Sequence, residues 1–148
     1  MTRADETKQT AGVCYIFLSF ALWLIVEFVT VWKAKMDEWM SLMPWVLIQY
    51  LAIIMVFWYF IFRRNWSERH VFLLMLVVMY VFEFLWQTPF LRNPLTFVPG
   101  SLLLASIWGL LTFVPWWLSQ GTLRRHKLQT IACVLWIPVG FIIACCMA

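Results

Sequence analysis

Residues 71–91 read VFLLMLVVMYVFEFLWQTPFL, an apolar run whose one ionisable carboxyl is Glu83. At 1.5 Å per residue a helix of this length spans about 30 Å, the hydrocarbon thickness of a bilayer. A carboxylate inside such a segment costs several kcal/mol unless it is protonated, paired or facing an aqueous cavity. The run therefore predicts a transmembrane helix that carries a polar group needing an explanation. Residues 12–32 repeat the situation with Glu27, and the other five of the seven acids lie outside the apolar runs.

Three more runs of bilayer-crossing length lie at 44–62, 101–118 and 129–147. The sequence thus predicts an all-α, polytopic integral membrane bundle of five transmembrane helices, with residues 1–148 forming a single domain. Of the 148 residues, 64% are hydrophobic and 12% charged, about half the charge fraction of a soluble domain. Gly109 and Pro115 mark the fourth run as the weakest, and Pro94, Pro99 and Gly100 are read as turn formers in a 92–100 linker. Pro138 and Gly140 are expected to kink the fifth helix.

The net charge of +4 does not point to nucleic acid, because the basic residues sit in short loops and read as topology and lipid-headgroup signals. Eight of the eleven Lys/Arg fall in the N-terminal tail (Arg3, Lys8), the second loop (Arg63, Arg64, Arg69) and the fourth loop (Arg124, Arg125, Lys127). Lys33, Lys35 and Arg92 fall on the other side. The positive-inside rule then favours a cytoplasmic N-terminus and an external or lumenal C-terminus, with no cleavable signal peptide. Asn65-Trp66-Ser67 has the form of a glycosylation sequon and Cys145-Cys146-Met147-Ala148 that of a prenylation box, both usable only in the inverted orientation. The charge bias outweighs them. The four cysteines lie in apolar segments without metal or redox spacing, so neither a metal nor another cofactor is expected.

Helical spacing groups the polar residues. Tyr80, Glu83 and Gln87 share a face of the third helix, and Ser19, Trp23, Glu27 and Thr30 a face of the first. Glu27 and Glu83 lie roughly 8 and 12 Å below the outer boundary, with Gln49 of the second helix at a similar level. If the faces meet, the two carboxyls cannot both ionise cheaply, which is the starting arrangement for acid–base chemistry. Trp23, Trp86 and Tyr80 supply aromatic faces for a cationic ligand or intermediate. Glu27 and Glu83 are the candidate catalytic pair, with Gln49, Gln87, Tyr80, Trp23 and Trp86 as candidate ligand-binding residues. The alternative is that these groups act as interhelical hydrogen-bond glue. A repeat of Val26-Glu27-Phe28-Val29 in Phe82-Glu83-Phe84-Leu85 hints at a duplicated hairpin.

Glu83-Phe84-Leu85-Trp86-Gln87-Thr88-Pro89-Phe90 resembles the signature span of the EXPERA group, which includes the sigma-2 receptor and the emopamil-binding sterol isomerases. Phe17-Leu18-Ser19 followed by Glu27 resembles that group's upstream acidic helix. The resemblance implies a cavity for sterols or amphiphilic amines, with Glu83 and Glu27 as an acid–base pair and Gln87 as a pocket ligand. It departs from the group in placing a whole helix between the two acids. The Glu-Phe segments also resemble those of integral-membrane terpene cyclases, which act on isoprenoids. The functional expectation is an intramembrane acidic pocket for a sterol- or isoprenoid-like hydrophobic molecule, with isomerase or cyclase activity as one form. The alternatives are a non-catalytic accessory subunit of a larger membrane complex and a small proton-coupled transporter. The expected partners are the lipid bilayer, a hydrophobic small molecule, and a membrane-protein partner or a second copy in a homo-oligomer.

Overall fold

The computed structural model describes residues 3–31, 36–85, 91 and 94–147, and among these there are five long helices and no strand. They are α1 (Arg3–Val31), α2 (Met36–Trp58), α3 (Glu68–Leu85), α4 (Pro94–Ser119) and α5 (Lys127–Met147). Among the described residues four segments are long and apolar enough to cross a membrane: Glu6–Phe28, Met43–Arg63, Pro94–Ser119 and Leu123–Ile143. The described part of α3 carries Glu68, Arg69 and Glu83 within 18 residues, which keeps it out of that group.

Contrary to the sequence expectation, α4 extends beyond 101–118 and takes in residues 94–100 of the expected linker. It is a 26-residue helix that begins at Pro94 and runs through Pro99 and Gly100. Pro94 takes the first helical position, where the missing N–H had no intrahelical partner. Pro99 lies only one turn further in and removes a single backbone hydrogen bond. Helix α4 is also the hub of the bundle, packing on α1, α3 and α5, while α2 packs on α1. Its buried face carries Thr96, Gly100, Leu103, Leu104, Trp108, Leu111 and Pro115.

Side chains on each helix sort by period. On α3, Val71, Met75 and Met79 recur every fourth residue and are completely buried, while Leu73, Val77 and Val81 face outward. Phe17, Leu85, Trp45, Leu128 and Leu135 are among many large apolar groups exposed on the outer surface. An apolar exterior of this extent would aggregate in water and is matched by lipid. Because lipid is as apolar as the core, the bundle is held by close packing and internal hydrogen bonds. Gly12 shows the fit: a Cβ there would stand 2.7 Å from Trp58 Nε1, so any larger residue at this α1–α2 approach has to push the indole aside.

Helix α2 widens into a π-helical turn over Tyr59–Arg63 and closes with Trp66 N–H donating to the Phe60 carbonyl. Asn65 adopts φ 52°, the left-handed conformation in which asparagine is favoured among non-glycine residues. Lys8 Nζ donates to Asn65 Oδ1 at 2.7 Å, joining the start of α1 to the α2–α3 loop. Trp117 Nε1 donates to Glu68 Oε1 at 3.0 Å, joining the start of α3 to the end of α4. The three basic segments of the sequence therefore gather at one end of the bundle.

Candidate functional site

Glu83 lies near the far end of α3 and is half-buried. Trp108, in the middle of α4 and 1% exposed, donates its indole N–H to Glu83 Oε1 at 2.9 Å. A hydrogen bond strengthens as its surroundings become less polar, so this contact ties α3 to α4 in the interior of the bundle. Trp108 also meets Trp23 of α1 edge-on at 4.9 Å between ring centroids and Phe82 at 5.6 Å. Trp23 in turn lies 4.4 Å from Tyr50 of α2. Four helices thus each contribute an aromatic ring to a cluster beside the Glu83 carboxyl.

Of the sequence-derived site residues, Trp23 and Glu83 are brought together through Trp108. Glu27 is half-buried one turn beyond Trp23, about 6 Å further along α1. Tyr80 is half-buried and stacks on Phe97 of α4 at 6.5 Å, with the rings 19° from parallel. Gln49 is exposed on the bundle surface: Tyr50, one residue on, takes the inward position, and 100° of helical rotation turns Gln49 away. Trp86 and Gln87, with most of the Glu83–Phe90 motif, lie outside the described residues, as do Lys33, Lys35 and Arg92.

Sequence reasoning missed Trp108, Tyr50 and Phe82. The signal for Trp108 was present, because it sits in mid-helix, away from the interfaces where aromatic belts place tryptophan. An indole N–H at that depth needs an acceptor, and Glu83 is an acceptor on a neighbouring apolar run.

A second polar cluster lies at the basic end. Glu68 Oε1 accepts from Trp117 and stands 3.3 Å from His126 Nε2, an ion pair when the imidazole is protonated. The Trp117 and His126 rings stack at 4.2 Å, only 4° from parallel. Among the described residues no group of three or more His, Cys, Asp or Glu is placed to hold a metal ion. No family model, curated protein or solved structure matches the chain. The fold and its polar groups define a small all-α bundle with the helix lengths and apolar exterior of a multi-pass membrane protein.

Proposed function

We propose that this is an integral membrane protein that binds a sterol- or isoprenoid-like amphiphile inside the bilayer, with the Glu83 carboxyl as the ligand's polar anchor. The observation that carries the reading is the half-buried Glu83 carboxyl, oriented by the Trp108 N–H and flanked by the Trp23–Tyr50–Phe82–Trp108 cluster. A carboxyl beside aromatic faces suits an amine headgroup or a developing carbocation, through charge and cation–π attraction. The EXPERA-like motif around Glu83 points to the same ligand class. In an isomerase or cyclase, a protonated carboxyl would donate to a double bond while a second carboxylate, Glu27, removed a proton elsewhere. The orientation in this reading has the basic end in the cytoplasm.

The test is photo-crosslinking with a diazirine-bearing sterol amine, followed by peptide mapping. Adducts on α3 and α4 that are lost in Glu83→Gln support the site; labelling spread evenly over the outward faces and unaffected by the substitution refutes it.

The same geometry favours one other reading. The Trp108–Glu83 bond directly links α3 to α4, as a packing device in an accessory subunit would. That reading expects Glu83→Gln to alter assembly and stability without altering ligand capture.

A further inference from the structure

A groove of about 440 Å³ runs along α4 between α3 and α5, with its mouth at the basic end, roughly 22 Å along α3 from Glu83. Its floor on α4 extends from Leu102 through Gly109 to Trp117, its α3 wall includes Arg69 and Phe72, and its other wall runs from His126 to Cys133. We propose that this groove holds one acyl chain of an anionic glycerophospholipid, with the lipid phosphate at Arg69 and His126.

The dimensions select the occupant. Leu102 and Trp117 are fifteen residues apart on one helix, about 22 Å, so 440 Å³ spread over that length leaves a cross-section of roughly 20 Å². A polymethylene chain, whose carbons pack about 4 Å from their neighbours, fits a groove of that length and narrowness.

The chemistry along the groove agrees. Ser106 and Thr130 line it, but their hydroxyls donate to the Leu102 and His126 carbonyls one turn back on their own helix. The middle of the groove therefore presents apolar surface. Gly109 has nothing within 4 Å of where a Cβ would be, so the glycine is not required by packing within the chain. It costs about 1 kcal/mol of helix propensity relative to alanine and leaves the floor open.

At the mouth, Glu68 Oε1 is taken up by Trp117 and His126, and Arg69 lies beside it. Arg124, Arg125 and Lys127 are exposed on the adjoining turn, which makes the mouth net positive and complementary to a phosphate. Trp117 stands there as interfacial tryptophans do, with its ring in the apolar layer and its N–H on a polar partner.

The experiment is native mass spectrometry of the protein from micelles, titrated with phosphatidylglycerol and phosphatidylcholine, for the parent, Arg69→Gln, Gly109→Leu and the outer-face control Val77→Phe. The parent is expected to retain phosphatidylglycerol in preference to phosphatidylcholine. Arg69→Gln is expected to reduce that preference about fivefold, the usual effect of one basic residue near an anionic headgroup. Gly109→Leu is expected to lower retention of both lipids, while the outer-face control Val77→Phe leaves it unchanged. Equal retention of both lipids by the parent overturns the proposal, as does parent-like binding by Gly109→Leu. Competition by glycerol phosphate as strong as by the lipid would assign a free-phosphate site. A dimer that dissociates in Gly109→Leu would assign the groove to a second copy of the chain. Either result also overturns the proposal.

Discussion

The Trp108–Glu83 hydrogen bond ties α3 to α4, and its strength is measurable. Trp108→Phe keeps an aromatic ring against Trp23 and Phe82 but removes the N–H, and Glu83→Leu removes the acceptor at similar bulk. An unsatisfied polar group in a buried setting costs about 1–3 kcal/mol. Interhelical hydrogen bonds in membranes deliver less, on average about 0.6 and at most about 1.7 kcal/mol, because the dispersed helices find other partners. The partial burial of Glu83 and the 2.9 Å length place the expected coupling at about 1 kcal/mol. A double-mutant cycle isolates it, since the packing lost with the indole and any other contact of Glu83 appear in both arms and cancel. The assay is reversible unfolding in mixed micelles with increasing dodecyl sulfate. Coupling below about 0.3 kcal/mol, the scatter of independent sites, would refute the view that this bond joins the helices.

Three other outcomes are expected. Gly12→Leu places side-chain atoms against Trp58 and should destabilise the α1–α2 contact by about 1–3 kcal/mol, read as an earlier unfolding midpoint in the same assay. Met75→Ala opens a cavity at a fully buried position and should cost about 2 kcal/mol, whereas Val77→Ala, facing outward two residues on, should change the midpoint little. Single cysteines at Lys8, Asn65 and Arg125, in a chain whose own cysteines are replaced, should all react with an impermeant maleimide from the same side of sealed vesicles; labelling from opposite sides would contradict the joining of these segments at one end.

How much was legible in the sequence differs by level. The first, second and fifth helices follow from apolar runs near 20 residues, because a bilayer admits few other ways to satisfy the backbone. The start of α4 was misread because Pro94, Pro99 and Gly100 were given their meaning in soluble loops. At a helix N-terminus proline removes little, and Gly100 is buried where α4 packs. Glu83 stood out because its cost in hydrocarbon depends on its own chemistry and depth. Its partner did not, because helical periodicity assigns faces within a helix and not which helix lies opposite. For the same reason the outward position of Gln49 was not legible, and Glu68, Trp117 and His126, which form one cluster, fall in separate segments of the sequence.

The most direct test of the central claim is the thermal stability of the detergent-purified protein against a panel of sterols, isoprenoids and hydrophobic amines, measured beside Glu83→Gln and Glu27→Gln. A carboxyl-dependent site requires that at least one compound raise the parent's midpoint, by about 2–4 °C for each kcal/mol of binding free energy in a chain of this size. The same compound should leave Glu83→Gln unmoved. If no compound stabilises the parent, and Glu83→Gln is as stable as the parent or more so, Glu83 is a packing group and the ligand-binding reading is wrong.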